Sequence, residues 1–345
     1  MTMHSPSVVT IILNYKTPDM TVQSAEAAYA EMEGIRGQIL IVDNDSGDGS
    51  FEKITAAIAE KDWPADRVQV LQSGRNGGFG AGNNYGIRHG FLHGVDGELP
   101  DYFYILNSDA FPHDGTIKAL LKHLENNPKT GFSGSYIHGP DAAPHITAFR
   151  FPSVAGELEG AARLGPISRL LKHAVVPLPL PQETCTVDWL AGASMMMRRE
   201  VLEQIGLFDE AFFLYFEETD LCLRAQRAGW AVDYVRDSEV THIGSVSTGM
   251  KTWERIPQFW LDSRLHYFVR NHGVWYAALA TLAHLLGGAI ARLRAVVQGK
   301  SIDEPKYFLI DMAFHSLRAA FRSSSIKPRD ITFPKGLRPL NGEHG

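Results

Sequence analysis

Val8-Val9-Thr10-Ile11-Ile12-Leu13 is apolar or β-branched at every position, with no alternation. That pattern predicts a strand covered on both faces, as in a parallel sheet. Helical spacing follows over residues 19–33, and Gln38 to Val42 forms a second buried run ending at Asp43-Asn44-Asp45-Ser46-Gly47-Asp48-Gly49. Phe51, Ile54 and Ile58 mark a helix over 50–60, while Val68 to Leu71 and Tyr102 to Leu106 read as third and fourth strands. Strands alternating with helices imply right-handed crossovers, so the expected class is α/β with a mostly parallel central sheet. Ligands of such sheets bind beyond the carboxyl ends of the strands. Four polar clusters follow strands here: Asn14-Tyr15, Asp43-Asn44-Asp45, Arg75 to Asn84, and Asn107-Ser108-Asp109. They are expected along one edge of the sheet.

The second half is less regular. Residues 138–184, rich in Pro, Gly and Ala, predict loop with short helices. A helix is expected from Asp220 to Ala228, stopped by Gly229, then a strand from Ala231 to Val235 and a turn before His242. Residues 257–272 and 274–322 look helical, and Pro328, Pro334 and Pro339 mark an irregular tail. The expected organisation is a domain over 1–256, divided into halves over 8–110 and 111–256. A helical module over 257–325 and a tail over 326–345 follow.

From Val274 to Ala291 no charged residue occurs unless His284 is protonated, a length near the lower limit of a membrane span. Gly287-Gly288 interrupts it, and Trp275, Leu279, Leu282, Leu286, Ile290, Leu293 and Val297 share one side opposite a mostly Ala side. This favours a helix lying on a membrane or on the domain over a spanning one. A second stripe, Tyr307, Ile310, Phe314, Leu317 and Phe321, lies near Arg318, Arg322, Lys327 and Arg329. Both stripes suit peripheral membrane contact, packing on the catalytic domain or a homodimer seam.

Composition narrows the class. With 345 residues, 44% hydrophobic and 21% charged, the chain can bury a large core, and a net charge of −6 gives no reason to expect nucleic acid. Cys185 and Cys222 are its only cysteines, too few for a disulfide framework. No basic segment precedes an apolar one at the start, so a cytoplasmic setting is expected, on the inner face of the membrane if the helices bind it.

Several clusters carry candidate chemistry. An Asp after a buried strand can accept a pyrimidine imide N–H, or merely turn the chain. Arg75 to Asn84 contains no G-x-G-x-x-G at any offset, yet a Gly-rich turn opening a helix can bring N–H groups to a diphosphate. Asn107-Ser108-Asp109 offers oxygen ligands to a hard cation, or a cap. Glu217, Glu218 and Asp220 crowd after an aromatic run, Phe212 to Phe216. Carboxylates at a helix start are favoured by its dipole, and an aromatic wall would also raise one into the range of a general base. That window alone leaves both readings open.

Taken in order, Leu13-Asn14-Tyr15, Val42-Asp43-Asn44, Asn76 to Asn84, Leu106-Asn107-Ser108-Asp109, Trp189-Leu190-Ala191-Gly192-Ala193, Phe213 to Asp220 with Leu221-Cys222-Leu223-Arg224, and His242 form a series. It resembles the family 2 glycosyltransferases, in particular their bacterial rhamnosyltransferase-like branch, over residues 8 to about 272. The resemblance implies a GT-A fold, a nucleotide-diphosphate sugar donor, a glycan or lipid-linked acceptor, and Mg2+ or Mn2+. It implies that Asp43 holds the base and that Asn14, Tyr15, Asn44, Asn76, Gly78, Asn84, Asn107 and Ser108 surround the nucleotide sugar. Asp109 and His242 would bind the metal, Trp189 and Gly192 would face the acceptor, and Glu218 would be the base supported by Glu217 and Asp220. It favours an inverting single displacement with dTDP-L-rhamnose, ahead of UDP-hexose or UDP-galactofuranose. Asn107 replaces the first acid of the D-x-D-like motif, Ser108 stands where Pro is frequent, and Glu218 stands where relatives often carry Asp. A non-catalytic sugar-nucleotide binder on the same fold is the competing class, and survival of Asp109, Glu218 and His242 together favours the enzyme.

Overall fold

The structure is a computed structural model, described over residues 5–244, 253–302 and 304–322. In chain order its first half comprises β1 (Ser7–Asn14), α1 (Pro18–Glu31), β2 (Arg36–Asp43), α2 (Ser50–Ala59), β3 (Val68–Gln72), α3 (Phe79–His93), β4 (Tyr102–Asn107), β5 (Ala110–Pro112), α4 (Thr116–Asn126) and β6 (Thr130–His138). There follow β7 (Ala148–Phe149), α5 (Val154–Ala162), α6 (Gly165–Leu170), β8 (Cys185–Thr186), β9 (Trp189–Leu190), β10 (Ser194–Arg198), α7 (Arg199–Ile205), α8 (Glu217–Arg227) and β11 (Ala231–His242). Helices α9 (Gln258–His272), α10 (Val274–Gln298) and α11 (Phe308–Arg322) complete it.

The central sheet runs β3-β2-β1-β4-β10-β6-β11-β5, with β8 paired to β11. β3, β2, β1 and β4 are parallel, as their unbroken apolar runs predict. β10 then inserts antiparallel between β4 and β6, β11 runs parallel to β6, and β5 closes the edge antiparallel to β11. Successive side chains feed two cores: Val9, Ile11, Phe103 and Met195 on one face, Val8, Ile12, Tyr104 and Met196 on the other. Burial on both faces explains why alternation is absent from these strands.

β6 and β10 escaped the sequence reading because Ser and Gly interrupt the first and methionines replace β-branched residues in the second. Every residue of β6 is buried. Its hydroxyls satisfy one another in the interior, Ser135 lying 2.6 Å from Ser194 and 2.7 Å from Ser238, with Tyr104 2.8 Å from Ser194. The turn expected before His242 is instead a bulge within β11, between Val235 and Glu239. α8 begins at Glu217, three residues earlier than expected, so all three acids lie in its first turn.

The helical span 274–322 breaks at Gly299, which adopts φ +63°. α10 packs on α5 through its small residues. A Cβ on Gly287 would sit 2.6 Å from the Leu158 carbonyl oxygen, and Ala277, Ala280, Gly288 and Ala291 are also buried. Glu157 of α5 binds Arg264 of α9 at 2.8 Å and His284 of α10 at 2.6 Å. Burial pushes this carboxyl up, but the two cations overcome it and hold Glu157 at about 2. The bulky stripe therefore points away from the domain: Trp275 is 86% exposed and Leu293 68%. α10 is long and apolar enough to cross a membrane. Lys327, Arg329 and the tail 326–345 lie outside the described residues.

Candidate active site

Strand ends build the floor. Asn14, at the end of β1, donates to Asp43 Oδ1 at 2.7 Å, and Ser46 Oγ donates to the same oxygen at 2.6 Å while its N–H reaches Asp43 Oδ2 at 3.1 Å. Asn14 Oδ1 accepts from Thr21 Oγ1 at 2.7 Å. Asn14 and Asp43 are both buried, so these pairs lock the β1 and β2 loops to each other. Tyr15 lies partly exposed beside them, the Lys16 ammonium 5.2 Å from its ring centre. Ser108 joins the shelf through Thr17, 3.0 Å away.

The Gly-rich segment does two jobs. Gly78 has φ +88°, and a Cβ there would fall 1.8 Å from the Phe213 carbonyl oxygen, which accepts from Phe79 N–H at 3.0 Å. Gly82, Gly86 and Gly90 face Leu13, Ile11 and Phe103, so their lack of side chains lets α3 press onto β1 and β4. Asn76 caps Gly78 N–H at 3.1 Å and accepts from Asn44 at 3.1 Å. Two N–H groups that the sequence offered to a diphosphate, those of Gly78 and Phe79, are thus engaged within the protein. Asn84 is fully buried and pairs with both backbone groups of Phe208, at 3.0 and 2.9 Å. Its amide holds α3 to the segment before α8.

Beyond β4, Asp109 Oδ1 lies 3.1 Å from His242 Nε2, and Asp109 Oδ2 accepts from Gly244 N–H at 3.0 Å. Burial pushes the Asp109 carboxyl up, but hydrogen bonds from His242 and Gly244 and the imidazole charge hold it below its ordinary value. The pairing of β5 with β11 sets Ala110 opposite His242, which brings the two side chains together. Asn107 Nδ2 also lies 3.4 Å from His242 Nε2. A nitrogen that donates to Asp109 cannot accept from Asn107. The amide therefore presents its oxygen to this nitrogen. Carboxylate, imidazole and amide oxygen then converge, a donor set that fits Mn2+ or Mg2+.

The acids open α8. Tyr215 and Phe216 adopt φ +70° and +71°, two successive non-glycine residues in the left-handed region. Such backbone costs about 1–3 kcal/mol per residue and persists where packing enforces it. Here Phe216 lies against Trp260 and Tyr267, and Tyr215 against Trp253 and Phe259. The kink aims the first turn of α8 at the sheet. Glu218 accepts from Gly192 N–H, and burial raises it to about 6. Its Oε2 and that of Glu217 are buried without a hydrogen-bond partner. Burial and the neighbouring Glu218 charge push Glu217 well above the ordinary range. Asp220, by contrast, accepts from Arg224 at 2.7 Å and from Asn271 at 2.9 Å, which anchors the first turn of α8 to α9.

Contacts at Gly192 and Ala193 gather these parts. Asn107 N–H donates to the Ala193 carbonyl at 3.0 Å. A Cβ on Gly192 would lie 3.0 Å from the Phe79 ring and 3.9 Å from Glu218 Oε1. Asn107, Phe79 of the Gly-rich loop and the raised carboxylate therefore flank one short segment, Gly192-Ala193. Trp189 stacks on Phe149 at 4.0 Å and donates to the Arg150 carbonyl at 2.9 Å, giving that segment a rigid wall.

The profile of the glycosyltransferase-like family 2 matches residues 6–259. The chain belongs to glycosyltransferase family 2. It is 31% identical over 252 residues to the N-acetylglucosaminyl-diphospho-decaprenol L-rhamnosyltransferase of Mycobacterium tuberculosis, covering 70% of this chain and 78% of that one. It is 26% identical over 262 residues to the low-salt glycan biosynthesis hexosyltransferase Agl10 of Haloferax volcanii, covering 76% and 74%. The mannosyltransferase PcManGT from Pyrobaculum calidifontis, solved with GDP-Man and Mn2+, superposes with a TM-score of 0.51 at 16% identity, covering 94% of this chain and 89% of that one. Staphylococcus aureus TarS 1–349 gives 0.50 at 13% identity, covering 91% and 80%. The fold is GT-A. Sequence reasoning missed three features around these residues. Ser46, Gly244 N–H and the Tyr215–Phe216 kink depend on backbone geometry, which no residue pattern announces.

Proposed function

We propose that this glycosyltransferase moves L-rhamnose from dTDP-L-rhamnose to a hydroxyl of a glycan or lipid-linked acceptor, with inversion. The observation that carries the mechanism is Glu218: raised to about 6, held by Gly192 N–H, and left with a buried unpartnered oxygen beside the Gly-rich loop. A carboxylate so poised takes a proton near neutral pH. Glu218 removes the acceptor hydroxyl proton, and the oxygen attacks the anomeric carbon from the face opposite the diphosphate. The bond from that carbon to the diphosphate oxygen breaks, and the nucleoside diphosphate leaves with the electron pair. A divalent cation on Asp109 and His242, with Asn107, would neutralise the departing charge. Asp43 and its network shape the base pocket, and Trp189 with Gly192 borders the acceptor. Support for rhamnose comes from the mycobacterial relative, itself named for L-rhamnosyl transfer to a decaprenol-linked sugar.

A panel of nucleotide sugars, scored by thermal shift with and without Mn2+, tests the donor. Donor binding stabilises the fold by mass action, so dTDP-L-rhamnose should give the largest Mn2+-dependent rise. A larger rise with UDP-hexose or UDP-galactofuranose would replace the donor, and binding without turnover would indicate a sugar-nucleotide-binding module.

The outward stripe supports peripheral contact with an anionic membrane on its cytoplasmic face. Trp275, Leu279, Leu282 and Leu286 of α10, Tyr307 just before α11, and Ile310, Phe314 and Leu317 of α11 are all more than half exposed, with Lys300 and Arg318 exposed nearby. Apolar faces bordered by basic residues suit anionic lipid, each basic group contributing about 1 kcal/mol. The full chain should sediment with anionic vesicles at low salt and be partly released at high salt. Protein that stays in solution and runs as a dimer would assign the stripe to a homodimer seam.

A further inference from the structure

Away from the Asp109 pair, His113, His138 and Glu239 bring three metal-ligand side chains together, with one donor atom of each within 4.8 Å of the others. Three elements supply them. His113 directly follows β5, His138 ends β6, and Glu239 resumes the β11 ladder after its bulge. The backbone is pinned as well, since His113 N–H donates to the Glu239 carbonyl at 3.1 Å.

The hydrogen bonding at His138 is informative. Its Nδ1 lies 2.7 Å from the Gly139 carbonyl oxygen, which can only accept, so Nδ1 carries a proton. The neutral ring then turns its Nε2 lone pair toward Glu239 Oε1, 3.0 Å away. Two acceptors at that distance repel unless a proton or a cation lies between them. An imidazole tied to a backbone carbonyl through its remote N–H, with the near nitrogen free to bind, is how metal-ligating histidines are held. His113 meets His138 edge-on at 5.3 Å, and its Nε2 lies 2.7 Å from Thr241 Oγ1, which orients the third donor.

We propose that His113, His138 and Glu239 form a Zn2+ site separate from the sugar-donor site. Two imidazoles and one carboxylate suit Zn2+ better than Mg2+, which takes oxygen ligands. The site would clip a functionally placed edge. Asp109 and His113 flank β5, and β11 carries Glu239 three residues before His242. At about 3.4 Å per residue the site stands about 10 Å from the Asp109 pair along the same two strands. A cation there would fasten the short edge strand that holds Asp109 against His242.

The test is calorimetric titration of chelator-stripped full-length protein with Zn2+ alone, alongside thermal melting. One Zn2+ event is expected that persists in Asp109→Ala and weakens at least about tenfold in Glu239→Gln and His138→Gln. Zn2+ should raise Tm in the wild type and in Asp109→Ala but not in Glu239→Gln. His113 is exposed, so His113→Gln supplies the same comparison if His138→Gln does not fold. Absence of Zn2+ binding, or binding that is lost with Asp109→Ala and unchanged by Glu239→Gln and His113→Gln, would overturn the assignment. Protonated His138 would then account for the short contact.

Discussion

Glu218→Gln separates the chemistry of Glu218 from its energetic cost. The folded protein raises this carboxyl from 4.5 to about 6, with burial as the cause. A carboxyl raised on folding leaves stability intact below pH 4.5 and loses it as pH climbs through that window. Above about pH 6 the full penalty applies, since the folded state must bury a charge that the unfolded chain exposes. At 1.36 kcal/mol per pH unit the displacement is worth about 2 kcal/mol. Glutamine keeps the acceptor for Gly192 N–H and cannot ionise. The variant should therefore melt higher than the wild type at pH 7.5, by up to about 3–4 °C, and lose that advantage near pH 4.5. Its turnover should fall by about two to four orders of magnitude while donor binding is kept. Wild-type kcat/KM should rise with pH along an acid limb centred near 6. Differential scanning fluorimetry across pH 4.5–8, with nucleoside diphosphate release as the activity assay, reads all of these. A variant that is active, or whose melting advantage over the wild type is no larger at pH 7.5 than at pH 4.5, would refute the assignment of base and burial to this residue.

Three further substitutions probe neighbouring parts. Glu217 is held well above the ordinary range by burial and by the Glu218 charge, so Glu217→Gln mimics its neutral form and should keep turnover within about tenfold; a loss equal to that of Glu218→Gln in steady-state assays would make Glu217 the base. Asp109→Ala should abolish the Mn2+-dependent part of donor affinity in a titration with nucleotide sugar, because the cation loses its anionic ligand; an undiminished Mn2+ response would remove Asp109 from the metal site. Gly78→Ala combines φ +88° with a Cβ only 1.8 Å from the Phe213 carbonyl oxygen, so it should cost about 2 kcal/mol or more in chemical denaturation and displace the loop before α8; an unchanged unfolding midpoint would contradict the close approach.

Hydrophobic pattern was enough to expose β1 to β4 and the polar sheet edge, because strands buried on both faces leave long apolar runs. It was silent on β6 and β10, where serines share hydroxyl hydrogen bonds inside the sheet and Met195 to Met197 fill the core without branching. In the site, the order of Asp109, Gly192, Glu218 and His242 along the chain was legible, but its division of labour was not. Asp220 accepts from Arg224 one turn on and from Asn271 of α9, and Asn84 pairs with Phe208. Gly82, Gly86 and Gly90 let α3 lie close on β1 and β4. All of these partners but Arg224 are distant in sequence, where a local pattern does not reach. The α10 stripe shows the converse, since its period was plain but only the Gly287 contact with α5 reveals that the small residues face inward.

The most direct measurement is the stereochemistry of transfer. Purified full-length protein would be incubated with dTDP-L-rhamnose, Mn2+ and an N-acetylglucosaminyl-diphospho-prenol acceptor, and the new glycosidic bond examined by proton NMR. The expected result is one mole of dTDP released per mole of disaccharide, the anomeric configuration opposite to that of the donor, and no product with Glu218→Gln. A product that retains the donor configuration, or one formed equally well without the Glu218 carboxylate, would contradict a single displacement with Glu218 as the base.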